Sequence, residues 1–428
     1  MYEKLKSTLL SLLVVVSLWQ TFLLVNSKPE FERMDSTSYV QTELEGSRLE
    51  VQDLLFPREI VLHFGDDRHS VLYPSQEFYK KIYEEKIKQR TFDGFRPLSR
   101  SAKNWEELRT TTRGLEIRFQ DSIPISILQT ILQLRGDFIY TDDEINRIWI
   151  ANEGEGDSEV RVYFFSGNGL NVYESTQADL QPSDIEQYVA FGEYMNSQNN
   201  YRSRDGLYYL PEQNLPAVRL KFTYETFTPE QWKNSLFVDP SISRNFAEKD
   251  GTEIYTDGKR GLQINQLDKW MAYSDPVAPV QEWADIRNHF YSAVQFINQH
   301  GGWNGTYMLQ AYPEPWNQQF TFMQYIGMYP VIATEMQPYG QIRLTMQKSI
   351  VSNYERSMLQ LQEEVSRTEM TLVGGDRLQE LIAAHSSRNE IVHVFPAFQA
   401  SVNEKYVEMI PMWAIQKSDG SFDMLPTR

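Results

Sequence analysis

The chain has 428 residues and contains no cysteine. This absence excludes disulfide bonds, thiolate metal ligands, a cysteine nucleophile and a lipid-modified cysteine. A chain without cysteine also escapes stray oxidation outside the cytosol, which favours an extracellular location for the folded part. The fold must be stable without covalent cross-links, for which 41% hydrophobic and 13% aromatic residues are ample.

Positive charge is also scarce, with 41 Lys and Arg residues against 58 Asp and Glu residues and a net charge of −17. Nucleic-acid binding depends on Lys and Arg side chains that neutralise phosphates. The mixed run at residues 80–90 contains Glu84 and Glu85, so it is typical of a solvated helix face rather than a basic stripe. We therefore expect no nucleic-acid partner.

Recognisable catalytic and metal-binding motifs are missing as well. There is no Gly-x-Ser-x-Gly elbow and no Ser-x-x-Lys motif, and Gly167-Asn168-Gly169 lacks the lysine of a phosphate-binding loop and is typical of a hairpin. His63 and Asp66 have a spacing that could hold a cation, but no third ligand is evident, which favours a histidine at a strand end beside a polar turn. We expect no enzyme activity, no catalytic residue, no cofactor and no metal site.

One long uncharged run is present near the start of the chain, at residues 7–25, after Lys4 and Lys6. A helix of about 19 residues at about 1.5 Å per residue is about 28 Å long, nearly the thickness of the bilayer core. The run predicts a single-pass transmembrane helix with a cytoplasmic N-terminus and the rest of the chain outside the cell. Lys28 weakens this charge asymmetry, and a signal peptide cleaved at residues 25–27 is the alternative.

One face of this predicted helix carries small hydroxylated side chains, which let transmembrane helices approach closely and hydrogen-bond. At about 100° per residue these side chains share an arc of about 120°, and a glutamine points elsewhere. The alternative is that such residues are simply tolerated near the ends of a span. The hypothetical contacts to partner helices are Ser7, Ser11, Ser17, Gln20 and Thr21.

The remaining chain predicts an α+β fold, in which a multidomain extracellular region of antiparallel sheets packed with helices follows the transmembrane helix. The domain boundaries are placed where composition and periodicity change. One such place is the Pro-rich stretch at residues 275–279, which interrupts both strand and helix patterns. The predicted segments are 1–27 (cytoplasmic N-terminus and transmembrane helix), 28–48 (polar stalk), 49–202 (N-terminal α+β domain), 203–278 (middle α+β domain) and 279–428 (C-terminal helix-plus-sheet domain).

Local patterns within this region predict individual elements. Alternating apolar residues at 218–224 predict a half-buried strand, and residues 228–231 predict a helix start with a capping box. Asp257-Gly258 predicts a hairpin turn, and Asp376 is a predicted helix cap. Helical spacing of apolar residues predicts a further helix that contains Tyr354, Met358, Leu361 and Val365.

A group of aromatic residues among Pro and Gln has two interpretations. Exposed Trp and Tyr often line carbohydrate or protein interfaces, whereas most aromatics of a chain without disulfides must lie in its core. The group consists of Trp303, Tyr312, Trp316 and Tyr325.

Four stretches make the chain similar to a known family. They are residues 237–241, residues 244–246, the hairpin at residues 255–263, and Gln-His-Gly-Gly-Trp at residues 299–303. Together with the N-terminal apolar segment, they resemble the YycH (WalH) family over essentially the whole chain. The Tyr-Thr-Asp-Gly hairpin contributes most of the specificity.

The resemblance implies a membrane-anchored accessory regulator outside the cell. Such a protein works with its relative YycI on the sensor histidine kinase WalK (YycG) of the WalK/WalR (YycG/YycF) system, which controls cell-wall metabolism in low-GC Gram-positive bacteria. In that family transmembrane helices form much of the contact with the kinase, and the resemblance makes residues 279–428 a YycI-like domain. Whether the chain forms a homodimer stays an open question. The alternative functions are a cell-wall-polymer binding module or a wall-active enzyme.

Overall fold

A computed structural model provides the structure, and it divides into two compact units, Met1–Val40 and Gln41–Arg428. In the first unit, residues 12–21 form helix α1. The described residues are 6, 10, 12–21, 44, 46–140, 142–153, 159–193, 201–204, 208–247, 251–276, 286–311, 318–334, 338–347 and 350–425.

The second unit begins with a ten-stranded sheet. Its strands are β1 (Glu59–Phe64), β2 (His69–Leu72), β3 (Thr91–Ser99), β4 (Arg113–Pro124), β5 (Gln133–Leu134), β6 (Glu144–Glu153), β7 (Glu159–Ser166), β8 (Asn171–Ala178), β9 (Tyr201–Arg204) and β10 (Tyr208–Pro211). Their spatial order is β10-β9-β2-β1-β4-β6-β7-β8-β3-β5. Every pairing along this order is antiparallel except that of β3 with β5.

Short helices alternate with these strands. They are α2 (Glu77–Tyr79), which continues as a π-helical turn (Lys80–Glu84), α3 (Trp105–Thr111), α4 (Ile125–Leu128) and α5 (Pro182–Glu193). The 3-10 turns are Val51–Leu54, Ile87–Gln89, Arg100–Ala102 and Asp137–Tyr140.

Strand β1 shows that this sheet is covered on both faces. Ile60 and Leu62 belong to the main hydrophobic core, whereas Val61 belongs to a second core cluster, because successive side chains of a strand point to opposite faces. Helix α5 packs closely on the first face: a Cβ on its Gly192 would lie 2.7 Å from Leu62 Cδ1. The strand is therefore entirely buried, and so is the polar side chain of His63.

The rest of the second unit contains fourteen further described strands and three helices. The strands are β11 (Leu215–Thr226), β12 (Arg244–Ala247), β13 (Thr252–Thr256), β14 (Gly261–Asn265), β15 (Trp270–Ser274), β16 (Thr306–Ala311), β17 (Gln319–Ile326), β18 (Tyr329–Pro330), β19 (Gln341–Gln347), β20 (Ile350–Ser357), β21 (Leu359–Leu372), β22 (Ile391–Val402), β23 (Tyr406–Lys417) and β24 (Phe422–Met424). The helices are α6 (Pro229–Leu236), α7 (Ile286–Gln299) and α8 (Gly375–Ala384), with a 3-10 turn at Pro240–Ile242.

These strands form two more antiparallel sheets. One has the order β21-β11-β23-β22, with β24 on β23, and the other has the order β12-β13-β14-β15-β20-β19-β17-β16, with β18 on β17. Helix α7 buries Phe290, Ala293, Val294 and Ile297, which join the main core together with residues of the ten-stranded sheet. The predicted α+β class is confirmed, with sheets predominating.

Some local predictions are confirmed and others are wrong. Thr228 caps α6 through a complete capping box with Gln231, and β13 and β14 form the predicted hairpin, in which Gly258 has a φ of +91°. The helix predicted around Tyr354 and Met358 is wrong, because Tyr354 lies in β20 and Met358 connects β20 to β21, and these strands pair with β19 and β11. Asp376 does not cap α8, whose N-cap is Gly374.

Strands from both sides of residue 278 share the last two sheets. Strand β11 pairs with β21 and β23, and β15 pairs with β20. The domain bounds proposed at 202 and 278 stay a prediction, but these pairings join residues 203–278 and 279–428 through backbone hydrogen bonds.

Candidate functional site

Helix α1 presents its apolar side chains to solvent. Each large apolar side chain described in this segment is at least 44% exposed, from Leu10 (66%) to Trp19 (64%). Within the described ranges, none of the helices combines the length and apolar character that a membrane crossing requires. Residues 7–9, 11 and 22–25 of the predicted span lie outside those ranges.

Three of the five predicted contact residues lie on this helix. Ser17, Gln20 and Thr21 are exposed, and the Thr21 hydroxyl donates a hydrogen bond to the Ser17 carbonyl oxygen at 2.9 Å. This bond uses the only donor of the Thr21 side chain and leaves its oxygen as an acceptor. Ser7 and Ser11 lie outside the described residues, so the structure brings no pair of predicted contacts together beyond Ser17 and Thr21.

The second unit holds the segment that follows α1 in the chain by a set of hydrogen bonds. We call Leu44 and residues 46–50 the docking segment, and residues 299–303, which follow α7, the exit loop. Leu44 N donates to Gln299 O at 3.3 Å, and Trp303 N donates to Ser47 O at 2.9 Å. The Ser47 hydroxyl donates back to Trp303 O. Ser47 falls within the predicted stalk 28–48, yet it is bonded to the folded unit.

Asn298, the penultimate residue of α7, joins both segments. Its Oδ1 accepts from Leu49 N at 3.1 Å and from the Trp303 indole Nε1 at 2.8 Å, and its Nδ2 donates to Leu49 O at 3.0 Å. Trp303 is only 1% exposed, so its indole N–H has no access to bulk water. One side-chain amide thus satisfies three polar groups that are otherwise costly to bury.

Glycines allow the two backbones to cross at contact distance. Gly301 and Gly302 have φ values of +99° and +58°, which side chains rarely tolerate. A Cβ on Gly302 would lie 2.6 Å from the Gly46 Cα, and a Cβ on Gly46 would lie 2.7 Å from the Gly302 Cα. The Gly-Gly pair of the exit loop therefore has a steric role as well as a conformational one.

Strand β20 also holds the exit loop through hydrogen bonds. Arg356, which is 1% exposed, donates from Nη1 to Gly302 O at 2.7 Å, and the Tyr354 hydroxyl donates to His300 O at 2.8 Å. His300 Nδ1 lies 2.8 Å from the Ser235 hydroxyl oxygen, and burial lowers the pKa of His300 to about 4. The His300 ring is therefore neutral at pH 7, so it adds no positive charge at the C-terminus of α7.

A second polar feature is buried between β1, β2 and β4. The Nδ1 atoms of His63 and His69 lie 3.0 Å apart, and His63 Nε2 lies 3.6 Å from Glu116 Oε2. Burial lowers the pKa of His63 and lowers that of His69 to about 3, so both rings are neutral at pH 7. Burial opposes the ionisation of Glu116, but Arg118 and Arg147, both at 3.0 Å, outweigh it and hold the pKa of this carboxyl well below its ordinary value.

The position of His63 agrees with the sequence-based interpretation, because it is the penultimate residue of β1 and the exposed polar turn at residues 66–68 follows it. The burial of its ring was not predicted: His63 is fully buried and stacks on Trp149 with ring centroids 4.8 Å apart. In the part of the chain that the structure describes, no three His, Cys, Asp or Glu side chains converge in a way that suits a metal ion. The alternation of β1 could have indicated that His63 and Val61 share a buried face.

The aromatic group proposed for wall polymers does not form one exposed patch. Trp303 and Tyr325 are 1% and 4% exposed, and they pack in the core. Tyr312 and Trp316 lie outside the described residues. The core interpretation is therefore confirmed for Trp303 and Tyr325.

The described residues thus define an α+β protein whose folded body binds the segment that follows an apolar N-terminal helix. Two family models match the chain: YycH protein, N-terminal domain, at residues 3–191, and YycH protein, C-terminal domain, at residues 206–426. The chain therefore belongs to the YycH family, as its sequence motifs indicate.

Two similarities to individual proteins agree with this assignment. The chain is 22% identical to the two-component system WalR/WalK regulatory protein YycH of Bacillus subtilis (strain 168), over 97% of this chain and 94% of that protein. The crystal structure of YycH from Bacillus subtilis has the same fold, with a TM-score of 0.70 and 19% identity over 90% of this chain and 99% of that chain. The relative is a regulatory protein of a two-component system, and its name describes no catalytic activity.

Proposed function

We propose that this chain is a membrane-anchored accessory regulator of a WalK (YycG)-type sensor histidine kinase that controls cell-wall metabolism, and that it acts with a YycI-type partner. Its N-terminus is cytoplasmic and its folded body is extracellular. The relative's role in the WalR/WalK system supports the kinase assignment. The observation that carries the proposal is the exposed apolar surface of α1, because a continuous set of large exposed apolar side chains suits a lipid or helical environment.

The proposed mechanism is a population shift in the kinase. Residues 1–27 anchor the chain, and Ser7, Ser11, Ser17, Gln20 and Thr21 pack against transmembrane helices of the partners. A packing energy that differs between two kinase states changes their equilibrium by that difference. The docking segment connects this helix to the folded body, so the exit loop holds the chain that leads to the anchor at a defined place on the body.

Copurification tests the helix contacts. The double variant Ser17→Leu/Thr21→Leu removes two hydroxyl groups from the proposed contact face. At about 0.6 kcal/mol for each polar contact in a membrane, the loss weakens association roughly eightfold. Val16→Leu is the matched control, since it adds bulk on the opposite side of the helix. Complex yield and kinase output that stay unchanged in the double variant at equal expression would contradict the proposal.

Crosslinking in living cells tests anchoring and partner identity together. A photoreactive residue is placed at each position from 7 to 25 in turn. We expect products with the kinase from the face of Ser17 and Thr21 and products with lipid or the second partner elsewhere. Recovery of a chain that begins after residue 25 would instead show that the segment is a cleaved signal peptide, and would overturn the anchor.

A further inference from the structure

A cavity lined by arginine lies at the junction of the two family domains. Its volume is about 330 Å³, and it opens between the ten-stranded sheet and the strands β22 and β23. Val392 and Gln416 line the side that belongs to the C-terminal domain, and Gln120 Nε2 donates to Gln416 Oε1 at 3.2 Å across the junction. The N-terminal domain lines the cavity with five arginines: Arg58, Arg100, Arg109, Arg118 and Arg147.

The buried charges beside this cavity do not balance. Four of the arginines have side chains that are at most 15% exposed, and among the described residues the buried carboxylates that pair with them are those of Glu59 and Glu116. The buried set therefore has two positive charges in excess, part of which the largely exposed Glu106 offsets through its contact with Arg109. At the rim, the exposed Arg100 and the half-buried Asp121 cancel each other.

The protein's own groups solvate these guanidinium groups incompletely. The Nε atoms of Arg58, Arg109 and Arg147 are buried and make no hydrogen bond to any described residue. Arg58 Nε lies 3.7 Å from Glu59 Oε1, which is too long for a hydrogen bond. Burial lowers the pKa of Arg58 and of Arg147 despite the carboxylates beside them. A buried cation with this environment is stabilised by any anion that reaches it.

We propose that this cavity binds the phosphate group of a small solute, either inorganic phosphate or a small phosphomonoester. A phosphate dianion matches the excess of up to two positive charges. Guanidinium groups bind phosphate with two parallel hydrogen bonds, which a lysine cannot do. A volume of about 330 Å³ is at the lower end of the range for small-molecule sites, so the cavity suits a solute and not a polymer.

The position of the cavity gives such binding a structural effect. A solute in contact with the arginines and with Gln416 touches both family domains, and binding to the folded state alone stabilises that state. The proposal concerns the folded body and does not depend on the kinase assignment.

Calorimetric titration of the full-length chain in detergent, at constant ionic strength, tests the proposal. One titration uses inorganic phosphate and another uses glycerol 3-phosphate. We expect saturable binding with one site per chain and a rise in the unfolding temperature with phosphate. Equal affinity for both ligands identifies the phosphate group as the whole determinant, whereas tighter binding of glycerol 3-phosphate identifies a phosphomonoester; either supports the proposal.

Variants locate the site. Arg100→Gln and Arg109→Gln should each weaken binding about tenfold, because each removes a charge-assisted hydrogen bond. Arg100 is exposed, and its side chain donates one hydrogen bond among the described residues, to Gly169 O, so this variant is expected to fold normally. Arg367→Gln is the control, since Arg367 is 62% exposed and does not line the cavity. Absence of binding at millimolar phosphate, or equal weakening in all three variants, would overturn the proposal.

Discussion

The side chain of Asn298 should be the main attachment of the docking segment. Asn298→Ala leaves Leu49 N, Leu49 O and the Trp303 indole N–H without their partner. A hydrogen bond contributes about 0.5–1.5 kcal/mol net, and an orphaned buried group costs about 1–3 kcal/mol. Because Trp303 is fully buried and Leu49 is half-buried, we expect a loss of about 2–4 kcal/mol in the free energy of unfolding.

Asn304, the residue that follows the exit loop, offers a matched control. Its side-chain amide makes an equivalent pair of bonds to another segment: Oδ1 accepts from Leu361 N at 2.8 Å and Nδ2 donates to Leu361 O at 3.2 Å. Asn304→Ala should lower stability by a comparable amount without touching the docking segment. The two variants therefore separate a general loss of stability from a local release.

Hydrogen exchange of the Leu49 amide measures that release. In Asn298→Ala this amide should exchange faster than in Asn304→Ala. The bonds to Asn298 are already absent in the first variant, so local opening of residues 46–50 costs less free energy. If the docking segment transmits the state of the body, Asn298→Ala should also alter kinase output without lowering complex yield. Equal protection of Leu49 in both variants would refute the assignment of Asn298 as the attachment point.

Two further predictions concern the exit loop. Gly302→Ala should destabilise the protein by more than Gly258→Ala: both have positive φ, which costs about 1–2 kcal/mol for alanine, but a Cβ at Gly302 also meets Gly46, whereas one at Gly258 meets nothing within 4 Å. Equal melting temperatures of the two variants would contradict the backbone crossing. Acidification from pH 7 to pH 5 should cost about 2 kcal/mol at His300, because the buried ring has a pKa of about 4 and the unfolded chain, with a pKa of about 6.5, binds the proton first. This stability is fully present above pH 6.5 and is lost as the pH falls towards 4. His300→Gln should reduce the loss seen in thermal unfolding, and an undiminished loss would count against a neutral buried ring.

Local chemistry explains which elements the sequence predicts. The capping box of Thr228 and Gln231 and the turn at Asp257-Gly258 depend on residues a few positions apart, and both are present. The wrong helix shows the opposite case. Tyr354, Met358 and Leu361 have helical spacing, but they lie in a segment whose strands find their backbone partners in other strands. Strand β20 pairs with β19, and β21 pairs with β11, which is remote in sequence. Strand pairing of this kind leaves no local signal.

The candidate site was only partly predictable for the same reason. The Gln-His-Gly-Gly-Trp stretch at residues 299–303 is recognisable as a motif, but its contact with Ser47 joins residues 256 positions apart. The buried pair of His63 and His69 depends on the register of β1 and β2, in which these residues lie directly opposite each other. Spacing alone suggests a turn beside His63 and cannot show that both rings are buried.

The bonds between the docking segment and the exit loop have a consequence for the order of synthesis. Leu49 is made early, but its partner Asn298 follows 249 residues later. At roughly 5–20 residues per second, the ribosome needs about 12–50 s to supply the second half of this contact. The docking segment stays without these hydrogen bonds through that interval. Because its attachment to Asn298 closes so long a loop, the attachment is a late step of folding. A chain interrupted before α7 therefore carries its N-terminal helix without the attachment of the docking segment to the body. Synthesis of α7 and the exit loop decides whether the chain after the first helix is fixed to the folded body.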